Sequence, residues 1–483
     1  MPDPTNNDLE STAVVVSHDD DSSPTVGFPI VCVGASAGGL AAFGKFLSAI
    51  PATTGMAFVL VQHLAPQHES QLVQLLSKET RLPVTEASDG MAAEPNHVYI
   101  IPPNADLALT KGILRLTPRL APHGQHLSID FFMRSLAHDC TSRAIGVVLS
   151  GTGSDGTLGL AEIKAAGGIT FAQDPASAES PEMPASAITS GGVDFVLTPS
   201  EIAQELVAIS RHAYLRSNPT THDADPFPAD QVSYATALDV LKSASHIDFT
   251  LYRDTTIKRR ILRRMAVRGI PTLIEYAQRL AGDASEIKVL LKDVLINVTS
   301  FFRDRVVFDA VRTLVFPHLA KEHGGDEPIR IWVVACSTGQ EAYSLAIELT
   351  EHLEREAHRR PLQIFATDIS ESSLNIARAG VYPASIEAEV SPERLRRHFS
   401  RVADGYRINK SLRDLCVFAK HDVTADTPFS KIDVISCRNV LIYLTPTLQA
   451  RVIPTFCYTF NPGGFLILGS SETIGRSSDM FDV

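Results

Sequence analysis

An apolar run that ends in a glycine-rich turn around one serine is the feature that most constrains this chain. Residues 28–33 are typical of a buried parallel strand, and the turn Gly34-Ala-Ser-Ala-Gly-Gly39 leads into helical spacing over Leu40–Ile50. A serine at such a turn is exposed beside helix N–H groups that can stabilise an oxyanion. A phosphate-binding loop is the alternative, but neither G-x-G-x-x-G nor G-K-[S/T] is present. The turn therefore favours Ser36 as a nucleophile.

Two later strands also end in residues that can do chemistry. The apolar run Ala57–His63 ends in a histidine, and the run Ala144–Leu149 is followed by a small-residue loop that contains Asp155. The carboxyl ends of parallel strands meet at one edge of a sheet, so these residues can converge there with Ser36. Taken singly, Asp155 could cap a helix and His63 could be structural. Together the three supply the hydroxyl, imidazole and carboxylate of a catalytic triad.

The segments GASAGG, VQHLAP, LSGTGSDGTLG and AQDPASAESPEMPASA resemble, in order and spacing, the catalytic domain of the chemotaxis protein-glutamate methylesterases (CheB family). The resemblance covers residues 28–212. It implies that Ser36 is the nucleophile, His63 the base and Asp155 the acid that orients the base. One departure is Gln125-His126, where the family commonly has Arg-Pro, and it concerns the substrate contacts of this loop rather than the triad.

Composition excludes several other classes of protein. The net charge of −12 argues against nucleic acid as the main partner. The six cysteines form no C-x-x-C pair, so we expect a reduced, cytoplasmic protein without a metal site. No apolar run is long enough to predict membrane insertion. Residues 1–27 lack the core of a signal peptide and are predicted to be a disordered acidic tail.

A proline- and aspartate-rich linker is predicted at residues 213–232, and amphipathic helices at 233–290. One of these helices is strongly basic. Its charges could simply form a solvated face, but on one side of a helix they would also suit an acidic helical substrate. The arginines concerned are Arg259, Arg260, Arg263 and Arg264.

The last part of the chain has a second α/β pattern. A buried strand at Ile329–Val334 is followed by the small-residue turn Ala335–Glu341, and the next strand, Leu362–Asp368, ends in a carboxylate. In Rossmann-like folds an acid at this position accepts the ribose hydroxyls of a nucleoside. An NAD site is the alternative, although the turn lacks G-x-G-x-x-G.

The segments NVTSFFRD, WVVACSTGQEAYSLA, FATDIS and ISCRNVLIY resemble the chemotaxis receptor methyltransferases (CheR family), from about Ala235 to the end of the chain. The resemblance implies S-adenosyl-L-methionine as cofactor and methyl-accepting receptors as partners. It also implies that Arg303 and Tyr443 lie near the transferred methyl group. The residues that it implies around the cofactor are Asn297, Thr299, Arg303, Glu341, Asp368, Asp422, Val423, Cys437 and Arg438.

Some of these residues have structural alternatives. Asn297 could cap a helix, and Cys437 could simply pack in the core. The family usually has Gly-Glu-Glu-Pro where this chain has Gly339-Gln-Glu-Ala342. Because Glu341 is retained, we expect cofactor binding to persist.

The expected architecture is a doubly wound, mostly parallel α/β methylesterase domain (28–212), a small helical receptor-recognition domain (233–290), and a Rossmann-like methyltransferase domain (291–483) with a small β-subdomain at about 383–416. We expect methylation of receptor glutamates, hydrolysis of the resulting esters, and deamidation of glutamines by the same triad. The alternative is that one half is degenerate and serves as a scaffold, or that the chain modifies a non-receptor protein. We further expect no receiver domain in cis, because few residues precede Phe28, and sensory modules downstream.

Overall fold

The computed structural model describes residues 26–62, 71–118, 127–216, 227, 230–296, 298–322, 327–356, 360–403, 405–477 and 479–482. The chain forms two compact units. The first runs as far as Phe249 and includes Asp254–Val298, and the second consists of Thr250–Arg253 and the chain from Thr299 onward. Among the described residues, no helix has the length and apolar character needed to cross a membrane.

The first unit is built around a seven-stranded sheet in the order β10-β9-β8-β1-β2-β5-β3, in which every pair of neighbours is parallel. A small antiparallel sheet has the order β4-β7-β6. The strands are β1 (Ile30–Ala35), β2 (Ala57–Gln62), β3 (Val84–Glu86), β4 (Met91–Ala92), β5 (Val98–Ile100), β6 (Ala105–Thr110), β7 (Ile113–Pro118), β8 (Ala144–Val148), β9 (Ile169–Gln173) and β10 (Phe195–Leu197).

Successive residues of β1 pack into different apolar clusters, because side chains alternate across a strand. Val31 and Val33 belong to one buried cluster, whereas Ile30 and Cys32 belong to another. Both faces of the sheet are therefore covered, as predicted for a doubly wound domain.

The helices of this unit are α1 (Gly39–Ser48), α2 (Leu72–Leu76), α3 (Ser128–Cys140), α4 (Thr157–Ala165), α5 (Glu182–Thr189), α6 (Pro199–Ile209), α7 (Ala213–Arg216), α8 (Gln231–Ser245), α9 (Asp254–Arg268), α10 (Leu273–Gly282) and α11 (Ala284–Val294).

The helices α8–α11 belong to the same compact unit as the parallel sheet. Arg263, on α9, is fully buried and joins the two parts. Its Nε donates to the carbonyl of Gly168 at 2.9 Å, and its Nη1 donates to Asp293 at 2.5 Å. Its Nη2 donates to Asp194, just before β10. Arg260 donates to the carbonyls at the end of α4.

The expectation that α9 presents these arginines as a basic docking face is wrong for most of them. Arg264 is buried and makes two hydrogen bonds of 2.8 Å to Glu286, which is itself fully buried. Arg260 and Arg263 are buried as well, whereas Arg259 remains exposed. The physical reason lies in groups distant in sequence: carboxylates neutralise these guanidinium groups, and backbone carbonyls accept hydrogen bonds from them. The helix can therefore pack with these charged side chains buried.

The second unit contains a parallel sheet in the order β16-β12-β11-β17-β18. An antiparallel sheet in the order β13-β15-β14 forms the predicted β-subdomain. The strands are β11 (Ile329–Val334), β12 (Leu362–Asp368), β13 (Val381–Pro383), β14 (Phe399–Val402), β15 (Gly405–Ile408), β16 (Cys416–Lys420), β17 (Ile432–Cys437) and β18 (Phe460–Leu468).

Apolar clusters cover both faces of this sheet too, since Ile331 and Val333 pack into one and Trp332 and Val334 into another. The helices are α12 (Arg305–Ala310), α13 (Phe316–Glu322), α14 (Gln340–Arg355), α15 (Glu371–Ala379), α16 (Pro392–His398), α17 (Lys410–Arg413) and α18 (Pro446–Thr459), and a π-helical turn joins α12 to α13.

Replacing Arg263 with alanine is expected to destabilise the first unit by about 3–5 kcal/mol, because Asp194 and Asp293 would stay buried without their shared partner. Denaturant unfolding followed by circular dichroism measures this change. Arg259→Ala, on the exposed side of the same helix, is the matched control and should change stability by less than about 1 kcal/mol. Equal, small effects of the two substitutions would contradict the assignment.

Candidate active sites

The turn that holds Ser36 follows β1 directly and is fixed by backbone hydrogen bonds. The Ser36 N–H donates to the carbonyl of Ser150 at 3.0 Å, and the Gly39 N–H donates to the carbonyl of Ser36 at 2.9 Å. Gly38 has a φ of 74°, a left-handed conformation that glycine adopts without strain, and α1 begins at the next residue. The half-buried Ser36 thus lies at the carboxyl edge of the sheet, beside the N-terminus of a helix.

The loop after β8 packs against this turn. A Cβ atom built on Gly151 would lie 3.0 Å from the Ser36 Cβ, so a glycine is needed for this close approach. The same loop ends in Asp155, whose side chain is buried. Its carboxylate accepts the N–H groups of Ile129 at 3.0 Å, Asp130 at 2.9 Å and Gly156 at 2.9 Å. Asp155 therefore caps α3 from a distant position in the sequence, and the loop is held in one conformation.

Two predicted features of this site lie outside the described residues. One is His63, which follows Gln62 in the sequence; Gln62 ends β2 and pairs with Ala35. The other is the Gln125-His126 departure. The position of His63 relative to Ser36 and Asp155 remains a prediction.

In the second unit, the turn after β11 is strained. Ala335 and Ser337 have φ values of 52° and 50°, which non-glycine residues rarely adopt, and Gly339 has a φ of 92°. The N–H of Ser337 donates to Asp368 Oδ2 at 2.8 Å. Backbone strain of this kind persists only where surrounding interactions enforce it, and it concentrates at binding sites.

Asp368 lies at the end of β12, as predicted, and its side chain is buried. Its Oδ1 accepts the N–H of Ser370 at 2.8 Å, while its Oδ2 accepts that of Ser337. Burial raises the pKa of Asp368, and these backbone donors oppose the rise. The N–H of Ile369 is a third backbone donor to this carboxylate. An ionised carboxylate has about four acceptor positions, so Asp368 keeps capacity for a hydroxyl donor.

Arg438 connects three segments around the same edge of the sheet. Its Nη2 donates to Asp304 at 2.7 Å and to the carbonyl of Arg303 at 2.9 Å, and its Nη1 lies 3.3 Å from Glu341 Oε2. Ser436 also donates to Glu341, at 2.5 Å. Arg438 thereby fixes the backbone at Arg303, the residue predicted to meet the substrate.

The remaining predicted cofactor residues have mixed surroundings. Cys437 is fully buried in the apolar cluster beneath α18, and burial raises the pKa of its thiol, so the packing alternative describes its side chain. Val423 packs against the same cluster. Asp422 accepts the N–H and hydroxyl of Thr424 at 2.8 and 2.6 Å. Thr299 is half-buried, and Asn297 lies outside the described residues.

Tyr443 ends a 3₁₀ turn, Leu441–Tyr443, and is half-buried. Its carbonyl accepts the N–H of Arg253 at 2.8 Å. The resemblance places Arg438 at the cofactor and Tyr443 near the transferred methyl group. The segment that joins these two residues is therefore part of the candidate site.

Sequence reasoning missed Glu472, which holds this segment. The buried Glu472 carboxylate accepts a series of hydrogen bonds from backbone N–H groups. A signal was present, because Glu472 follows β18 closely, just as Asp368 ends β12. The donors are Asn439, Val440 and Leu441 at 2.7 Å, Gly469 at 2.8 Å and Ile442 at 3.4 Å.

Three family models match the chain in succession. The CheB methylesterase model matches residues 31–206, the all-alpha domain of CheR methyltransferase matches 233–295, and the S-adenosylmethionine (SAM) binding domain of CheR methyltransferase matches 297–483.

The chain is also similar to individual proteins over most or part of its length. A protein of Rhodobacter capsulatus, "Uncharacterized 104.1 kDa protein in hypE 3'region", is 35% identical over 85% of this chain, which spans only 45% of that protein. The "Chemotaxis protein methyltransferase" of Listeria innocua is 34% identical over 50% of this chain and 89% of its own length. The CheB methylesterase catalytic domain of Thermotoga maritima, a solved structure, is 30% identical over 38% of this chain and 98% of that one, with a TM-score of 0.36.

Glu472→Gln is expected to slow methyl transfer at least tenfold, because an amide offers only one acceptor oxygen. Its NH₂ group would face backbone N–H donors that then lack an acceptor. Leaving buried donors unsatisfied costs about 1–3 kcal/mol each. Initial rates with labelled S-adenosylmethionine measure the effect, and thermal unfolding separates it from loss of fold. Glu371→Gln, an exposed glutamate of the same unit, is the control; an equal rate in both variants would refute the role of Glu472.

Proposed function

Because this chain belongs to the chemotaxis protein methyltransferases and carries a CheB methylesterase domain ahead of that region, we propose that it both methylates and demethylates glutamate side chains of methyl-accepting receptors. It is an enzyme of both classes, and S-adenosyl-L-methionine is its cofactor. The observation that carries the proposal is that candidate catalytic or binding residues lie at the carboxyl edge of each parallel sheet. These residues are Ser36 and Asp155 on one sheet and Asp368 on the other.

Ester hydrolysis is proposed to proceed through Ser36, His63 and Asp155. Ser36 Oγ attacks the ester carbonyl while His63 accepts its proton, and His63 returns the proton to the departing methanol. Water then hydrolyses the acyl-serine and leaves a glutamate side chain. Attack on a glutamine amide by the same route would release ammonia.

The surroundings of Ser36 support this scheme. Within the described part of the chain, no hydrogen bond engages the N–H groups of Ala37 and Gly38, so both can donate to an oxyanion formed beside Ser36. Asp155 is held by three backbone N–H groups, and an ionised carboxylate has the capacity to accept a further donor such as an imidazole.

The fit of the second site to S-adenosylmethionine rests on Asp368. Its carboxylate is fixed in place by backbone donors and keeps capacity for a ribose hydroxyl. When bound, the cofactor supplies an electrophilic methyl group on a cationic sulfur. Glu341, held by Ser436 and Arg438, adds a carboxylate of the opposite charge.

A glutamate side chain is already ionised at neutral pH, so its methylation needs orientation more than a base. We propose that Arg303 steers the acceptor carboxylate. Its backbone is fixed by Arg438 and lies between two residues of left-handed conformation, Phe302 and Asp304, with φ values of 52° and 60°. Tyr443 is proposed to contact the substrate near the acceptor carboxylate as well.

Ser36→Ala should abolish methanol release from a methylated receptor and leave methyl transfer unchanged, since loss of such a nucleophile costs about a millionfold in turnover. The measurement follows volatile label from a receptor fragment methylated in advance. Ser48→Ala, at the end of α1, is the matched control and should release methanol normally. Appreciable esterase activity in folded Ser36→Ala protein would end the assignment.

Asp368→Ala should weaken S-adenosylmethionine binding about tenfold to a hundredfold, because hydrogen bonds to a charged acceptor contribute about 1.5–3 kcal/mol each. Calorimetric titration of the full chain tests this expectation. Asp414→Ala removes an exposed carboxylate from the same unit and should bind normally. If Asp368→Ala bound the cofactor as tightly as this control, Asp368 would be purely structural.

A further inference from the structure

A cavity of about 110 Å³ lies within the first unit, where α9 and α11 pack against the end of α4. Its lining includes Lys164, Arg260, Lys292 and Asp293, together with Gly191 and Gly192. The volume is enough for several water molecules or one tetrahedral oxyanion.

The cavity is remote from the Ser36 edge of the sheet. Arg263 and Arg260 meet the backbone just before β9, at Gly168 and at Lys164–Ala165. These positions lie at the amino end of the strand, whereas Ser36 follows the carboxyl end of the parallel strand β1. The cavity is therefore a separate feature from the proposed esterase site.

The charges that line the cavity do not balance. Two lysines, Lys164 and Lys292, line the cavity beside one carboxylate, Asp293, and that carboxylate is engaged by Arg263 at 2.5 Å. The ammonium of Lys164 lies 3.0 Å from Asp194, which binds Arg263 as well. Asp194 thus pairs with two cations and Asp293 with Arg263, so the three cations Lys164, Arg263 and Lys292 outnumber these two carboxylates.

Lys292 is the cation of this network that has no carboxylate partner within the described residues. Within the described residues, no hydrogen bond or ion pair engages its ammonium group. Lys292 is exposed overall, but partial desolvation of its ammonium group, and after it the charge of Lys164, lowers the pKa of Lys292, and Asp293 partly opposes this change. Gly191 has a φ of 75°, and a Cβ atom built there would lie 2.8 Å from Lys292 Nζ, so this glycine lets the ammonium lie against the loop.

We propose that this cavity binds a small oxyanion of phosphate size, held by Lys292 and Lys164. An oxyanion at this position would supply the missing negative charge and would form charge-assisted hydrogen bonds from both sides of the packing between α11 and the methylesterase part. Its binding would therefore stabilise the joint unit. This inference does not depend on the proposed function.

The test is calorimetric titration of the full chain with inorganic phosphate at constant ionic strength, beside chloride as the reference anion. Saturable binding of one phosphate per chain is expected, with a rise in the thermal midpoint of the first unit. Lys292→Gln should weaken binding about tenfold or more. Lys288→Gln, one turn away on α11 and exposed, should bind phosphate as the unsubstituted chain does.

Both variants change an exposed residue and should unfold at the unsubstituted midpoint when phosphate is absent, which checks that they fold. Failure to observe saturable binding at millimolar phosphate would overturn the proposal. So would equal weakening by Lys288→Gln and Lys292→Gln, because that result would indicate general attraction to a basic surface rather than a site.

Discussion

Buried carboxylates that accept hydrogen bonds from backbone N–H groups hold the loops at the carboxyl edges of both sheets in place. Asp155, Asp368 and Glu472 each fix a loop that leaves the carboxyl end of a parallel strand. Loops at this edge cannot satisfy their own N–H groups by strand pairing, and an ionised acceptor makes a stronger bond than a neutral one. The residues proposed to do chemistry stand in, or next to, the loops that are held this way.

A related principle joins the helical segment to the methylesterase part. Arg263 and Arg264 are buried against Asp194, Asp293 and Glu286, and such pairs are tolerated because every charge has a partner. Receptor recognition by residues 233–290 remains a prediction. On α9 it can use Arg259, which is exposed, but not the buried arginines.

The sequence predicted those features whose signal is local. The strands β11 and β12 have the predicted bounds, since each is an apolar run that ends at a polar turn. Burial of Arg263 could not be read from its helix, because its carboxylate partners are 30 and 69 residues away. The position of Glu472 shortly after β18 was a signal, but its role was hard to predict, since most of its partners are backbone N–H groups about 30 residues distant, which leave no side-chain pattern.

The central claim is that one chain adds methyl esters to a protein and removes them. The most direct test incubates the full chain with methyl-labelled S-adenosylmethionine and the helical cytoplasmic part of a receptor, and follows protein-bound label and volatile methanol together over time. Protein-bound label should rise first, and methanol should then appear at a rate that follows the amount of labelled protein. Label that accumulates without any methanol, or a receptor that never becomes labelled, would contradict the claim.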